Sequence, residues 1–219
     1  TLAIRIDNRI KEVDVGWNSH SISDHTQSNW NGIVGDIYLQ SFDGIYFTDV
    51  QVFPDVERKS VIIKASVQNK KQEEKDIKIE VVAEHKVSEI ETEEKSFDFT
   101  VLPGENIVKM IYPLGQDALL WDEFAPNVYE LLLKLRYDKG EDIKRTDSGL
   151  HKFKVNNSRF EINGRPVFLR GTLECAIFPK TGYPPTSVGE WSKVFTDLKA
   201  HGLNHVRFHY WCPPEASFT

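Results

Sequence analysis

Apolar side chains recur mainly at every second position of this chain, in short runs, and that two-residue period marks strands with one face buried. Between Gly44 and Val155 seven such runs follow one another: Ile45–Phe53, Ser60–Gln68, Ile77–Glu84, Ser96–Val101, Ile107–Tyr112, Tyr129–Tyr137 and Leu150–Val155. Val61-Ile62-Ile63 and Leu131-Leu132-Leu133 supply strand-forming residues, and turn-rich stretches such as Asn69-Lys70-Lys71-Gln72 and Pro103-Gly104-Glu105-Asn106 separate the runs. About seven short strands in roughly 110 residues predict an immunoglobulin-like β-sandwich. It lacks an inter-sheet disulfide, because Cys175 and Cys212 both lie downstream.

The flanks read differently. Two strand-like runs, Leu2–Ile6 and Ile33–Gln40, enclose the polar stretch from Gly16 to Asn31. Two strands cannot build a domain, so residues 1–43 read as the last strands of a β-domain. After Val155, the segment from Phe160 to Gly171 reads as a hairpin turned at Asn163-Gly164 and leading into a buried strand. Ser187 to His201 then carries Val188, Trp191, Val194, Phe195 and Leu198 at spacings of three and four, with Ser187 as N-cap, Glu190 three residues on and Gly202 as the stop. Leu203–Tyr210 is the next strand. Strand, helix, strand predicts a right-handed βαβ unit with a parallel sheet.

Composition narrows the function classes. With 219 residues and 40% apolar side chains, the chain can bury one sizeable core or two modest ones. Its 27 basic and 33 acidic residues give a net charge of −6, and the basic residues are scattered, which speaks against a nucleic-acid footprint. No apolar run approaches the roughly 18–20 residues that span a bilayer, so no membrane partner is expected. The chain starts at Thr1 and stops in a loop-like Trp211–Thr219 segment with no visible leader, and we read it as a piece of a larger protein. The two cysteines match no zinc-ligand spacing and are expected as buried free thiols.

Candidate chemistry gathers near the C-terminal end. His201, His205 and His209 recur every four residues, a metal-binding spacing on a helix, but Gly202 ends the helix before them and no metal is expected. On a strand, alternation puts His205, Arg207, His209 and Trp211 on one side and Val206, Phe208, Tyr210 and Cys212 on the other. In a βα barrel the polar side lines the interior, which makes Arg207 and His209 candidate ligand contacts; a structural arginine is the competing reading. The acidic stretch Glu84–Lys95 reads as a solvated hairpin rather than a calcium loop. No Gly-x-Ser-x-Gly elbow or phosphate loop is present, and the neighbouring Ser19-His20-Ser21 and Asp24-His25 groups read as a polar loop.

Four ordered segments resemble glycoside hydrolase family 2, the family of β-galactosidases, β-glucuronidases and β-mannosidases. Trp30 through Leu39 resembles the end of that family's sugar-binding jelly roll, and Trp121 through Tyr129 resembles the late part of its immunoglobulin-like domain. Phe153 through Gly171 resembles the approach to its catalytic barrel, and Asn204-His205-Val206-Arg207 resembles the second barrel strand. After Arg170-Gly171 the chain departs from the family's asparagine and histidines with Thr172-Leu173-Glu174-Cys175-Ala176. The resemblance implies a mainly β architecture in three parts. Residues 1–43 would end a jelly roll, 44–155 would form the immunoglobulin-like β-sandwich, and 156–219 would begin a truncated (β/α)8 TIM barrel.

The resemblance also implies retaining hydrolysis of terminal β-linked sugars by two glutamates about 5–5.5 Å apart. Those glutamates fall on later barrel strands, beyond Thr219, so no catalytic residue is assigned within the chain and the segment alone is expected to be inactive. Phe160 to Thr219 is about a quarter of the roughly 250 residues a barrel needs. Glu174, Arg207, His209 and Trp211 are the candidate substrate-binding residues. Glu174 and Glu215 lie near the active end of a barrel without matching the catalytic positions. The implied partner is a carbohydrate, with no cofactor, and a periplasmic or extracellular setting suits a polysaccharide-degrading parent. An incomplete parallel sheet would expose apolar faces, so residues after about 160 are expected to be partly disordered or shielded by another copy. The competing function is a non-catalytic β-sandwich that binds carbohydrate or protein.

Overall fold

The computed structural model of the chain describes residues 2–7, 32–33, 35–88, 92–209 and 211–218. The chain forms two compact units, residues 40–167 and residues 1–39 with 168–219. Trp17, Trp30, the histidine-containing groups of the polar N-terminal stretch, Glu89, Glu91 and Tyr210 lie outside the described residues.

Seven strands build the sandwich within the unit 40–167: β1 Ile45–Asp55, β2 Ser60–Asn69, β3 Lys75–His85, β4 Lys95–Val101, β5 Gly104–Pro113, β6 Tyr129–Tyr137 and β7 Gly140–Ser148. They pair antiparallel into two sheets, β1-β2-β5 and β4-β3-β6-β7. This is the immunoglobulin-like sandwich in which the fourth strand joins the third rather than the fifth. Alternation drives it. Val61, Ile63, Ala65 and Val67 of β2 face Ile79, Val81, Leu131, Leu133 and Leu135 of the other sheet in one core, all fully buried. The first backbone amides of β1 reach across to the other sheet: Ile45 N donates to the Tyr137 hydroxyl at 3.0 Å and Phe47 N to Asp142 Oδ2 at 2.8 Å. A bulge between Phe47 and Asp49 re-aims the strand just after these contacts.

Six of the seven expected runs are strands here, and the seventh is displaced. Leu150 is buried in the core as a coil residue, whereas the seventh sandwich strand is the polar Gly140–Ser148. It is an edge strand with mostly exposed side chains, so it carries little apolar alternation. A two-residue turn at Asp138-Lys139, with Asp138 at φ 42°, returns the chain from Tyr137 to Gly140.

The expected hairpin is present as a small antiparallel sheet of β8 Phe153–Asn156, β9 Arg159–Ile162 and β10 Arg165–Val167. Asn163 and Gly164 turn it with φ of 52° and 79°. Asn163 also ties the turn down, since its Nδ2 donates to Trp121 O at 2.9 Å while its Oδ1 accepts from Lys152 N at 2.9 Å.

In the second unit, Leu2–Asp7 and Asp36–Leu39 carry no strand, although the alternation suggested one in each. Their apolar side chains, such as Leu2, Ile4 and Leu39, are exposed, and no ladder partner pairs with them among the described residues. Strand β11 Gly171–Glu174, helix α1 Val188–Ala200 and strand β12 His205–Phe208 follow, with β11 and β12 parallel. Helix α1 ends in a Schellman arrangement: Gly202 at φ 77° donates to Lys199 O at 2.8 Å and Leu203 N donates to Leu198 O at 3.1 Å. At its start the Ser187 hydroxyl bonds the Glu190 carboxylate at 2.8 Å instead of capping the backbone.

Candidate functional site

The parallel pair defines the candidate site. Register places Thr172 beside Val206, Leu173 beside Arg207 and Glu174 beside Phe208. Arg170 and Asn204 fix that register at the strand starts. Arg170 N donates to Asn204 Oδ1 at 2.8 Å, Asn204 N donates to Arg170 O at 3.0 Å, and Asn204 Nδ2 donates to Phe168 O at 3.1 Å. Sequence reasoning treated Asn204 only as part of a motif; its position before a strand that must pair in parallel is the signal that could have marked it.

The far ends of the strands carry the titratable groups. Glu174 closes β11, and its backbone carbonyl accepts from His209 N at 2.8 Å and from the Trp211 indole at 3.3 Å. Its Oε1 accepts from Ala176 N at 2.8 Å, which holds Ala176 in a left-handed turn at φ 57°. Its Oε2 is buried and makes no hydrogen bond. Burial pushes the Glu174 carboxyl above the usual carboxylate range, against the opposing pull of the Ala176 and Ile177 backbone N–H groups. Cys175, the next residue, places its Sγ 3.8 Å from His209 Nδ1.

The structure thus brings three of the four candidate residues, Glu174, His209 and Trp211, into direct contact. Arg207 stands apart on the exposed strand face, one position before Phe208. The expected alternation holds through β12 and lapses where the strand stops at Phe208. Trp211 consequently stacks on buried Trp191 at 6.3 Å and meets Phe208 edge-on at 5.3 Å, in the aromatic cluster that seats helix α1. Glu215 is exposed at the start of a single 3-10 turn, Glu215–Ser217. Cys175 is half-buried and Cys212 is exposed, so the expectation of two buried thiols fails at Cys212, which lies past the end of the strand. The three histidines share no helix face: His201 is the C-cap of α1 with Nδ1 bonded to Asp197 O, and His205 lies on β12. No cluster of three His, Cys, Asp or Glu side chains suited to a metal occurs among the described residues. Cys175 is the neighbour that sequence reasoning missed, because only the parallel register brings residue 209 beside residue 175.

Residues 45–150, the sandwich from β1 to the end of its core, match the model of glycosyl hydrolases family 2. The family match thus rests on the sandwich, just under half of the chain. In an alignment of 216 positions that covers 93% of the chain, it is 26% identical to a β-galactosidase of Oenococcus oeni, and it spans 20% of that relative. A family 2 member from Bacteroides cellulosilyticus superposes on 80% of the chain with a TM-score of 0.67 and 17% identity, and the chain covers 23% of it. Bacteroides uniformis β-glucuronidase 2 gives a TM-score of 0.66 over 80% of the chain at 16% identity, and 23% of that protein is covered. The shared family 2 fold therefore accompanies enzymes named for different sugars.

Proposed function

We propose that this chain is the accessory and barrel-entry segment of a retaining glycosidase that removes terminal β-linked sugars, β-galactosidase-like in its reaction. The observation that carries the reading is the join of a family 2 sandwich to a parallel β11-α1-β12 unit whose strand ends gather polar and aromatic side chains. In this reading residues 1–43 end a jelly roll, 44–155 are the immunoglobulin-like domain and 156–219 open the TIM barrel. Retaining chemistry needs two carboxylates about 5–5.5 Å apart. The chain spans about a fifth of its β-galactosidase relative, and the proposal assigns both carboxylates to sequence outside it.

Within this chain, Arg207, His209, Glu174 and Trp211 would form part of the wall around the sugar. Arg207 is the exposed donor, a planar fork suited to sugar hydroxyls or a carboxylate. Glu174 acts chiefly on the wall itself, because its carboxyl and carbonyl together hold Ala176, His209 and Trp211 in place. The direct test compares this chain with one extended by about 200 residues, enough for most of a barrel, on a panel of aryl β-glycosides. Hydrolysis by the extended chain alone is the expected result. Silence from both, with cooperative folding of both, would turn the assignment toward a binding module.

A further inference from the structure

Strand β5 borders the sheet β1-β2-β5, and no strand pairs with its outer side among the described residues. Its side chains alternate strictly: Val108, Met110 and Tyr112 enter the core, while Glu105, Ile107, Lys109 and Ile111 stand in solvent. Ile107 is 75% exposed and Ile111 55%, which is a large apolar display for an open edge. On the paired side, Lys109 lies directly opposite Lys64 of β2. Like charges facing each other across strands are unfavourable, and Lys64 already lies over the Phe53 ring at 5.0 Å. No ion pair within the described residues engages Glu105 or Lys109.

We propose that β5 pairs antiparallel with β5 of a second copy, centred on Ile107. That register sets Ile107 against its own symmetry mate and Glu105 against Lys109 of the other copy, twice over. Each Lys109 then has an anion on the side away from Lys64. Centring on Lys109 instead would set two lysines face to face, and centring on Val108 would set Lys109 against Ile107. A single register therefore satisfies charge and apolar contact together. The two three-stranded sheets become one continuous six-stranded sheet, with the buried side chains of both cores still facing inward.

The proposal does not depend on the glycosidase reading, and sedimentation of the whole chain over a concentration series tests it. A reversible dimer is expected. Glu105→Lys and Lys109→Glu each replace two attractive pairs by two repulsive ones and should weaken dimerisation by about tenfold. The double variant restores opposite charges in reversed order and should return to near the wild-type strength. Both positions are solvent-facing, so unchanged thermal midpoints of diluted samples would show that folding is intact. Three outcomes would overturn the proposal: a monomer at every concentration, a dimer indifferent to both single reversals, or a double variant no stronger than the singles. A dimer lost in Leu173→Lys, on β11, but retained in Glu105→Lys would assign association to the parallel pair instead.

Discussion

The two units of this chain bury their apolar side chains by different means. The sandwich closes on itself: three of its five antiparallel pairings join consecutive strands, and its core holds a continuous set of fully buried aliphatic residues. In the unit containing 168–219, Trp191, Ala176 and Pro184 are the buried apolar side chains among the described residues. Phe168, Leu173, Ile177 and Val188 remain exposed there. The difference follows from topology. An antiparallel sheet needs cover on one face only, whereas a parallel one is built to be covered on both. The family model accordingly matches within the self-contained unit, whereas the candidate chemistry lies in the unit with fewer buried apolar side chains.

The sharpest way to break this contrast is Trp191→Ala. It removes the ring against which Phe178, Phe195, Phe208 and Trp211 pack, and the local cost is about 3–5 kcal/mol. Hydrogen exchange should show loss of protection in α1 with β6 amides unchanged; equal loss in β6 would mean that the two units unfold together. Leu133→Ala, in the sandwich core, should cost about 2–5 kcal/mol and lower the main denaturant midpoint. A shift smaller than that of an exposed-site control would show that the sandwich core does not carry stability as its burial implies.

Asn163→Ala is expected to cost about 1–3 kcal/mol, because two side-chain hydrogen bonds are lost at a left-handed turn position. Asn163→Gly relieves the turn strain but not the lost bonds, so a midpoint between alanine and wild type checks the separation. The smallest effect is a slope. Glu174 has a raised pKa in the folded chain, so the folded state holds its proton to higher pH than the unfolded state does. Stability should then fall as pH rises from about 4 through the ordinary carboxylate range and beyond. Glu174→Gln removes this dependence, so its midpoint relative to wild type should climb with pH. A gap that is constant with pH would show that Glu174 ionises in the fold as it does unfolded.

Much of this was legible in the sequence where local rules decide. The alternation of β2, β3 and β6, the Asn163-Gly164 turn and the helix from Ser187 to Gly202 all follow from near neighbours. Strand β7 was not legible, because an exposed edge strand has no apolar period to read. The Ser187 cap was only half legible: its hydroxyl chose a side-chain partner over the backbone. At the candidate site, alternation correctly separated Arg207 from Phe208 but misplaced Trp211, since nothing local signals that β12 stops at Phe208. The contacts of Glu174 with His209 and Trp211 depend on a parallel register that spans the whole intervening helix.

The seal on β1 bears on how copies of this chain can add to one another. Side chains of Tyr137 and Asp142 occupy the first amides of that strand, and the bulge bends it away, so one border of the three-stranded sheet is stopped. In the proposed dimer the start of β1 would stay closed to a further strand, which restricts growth through this sheet.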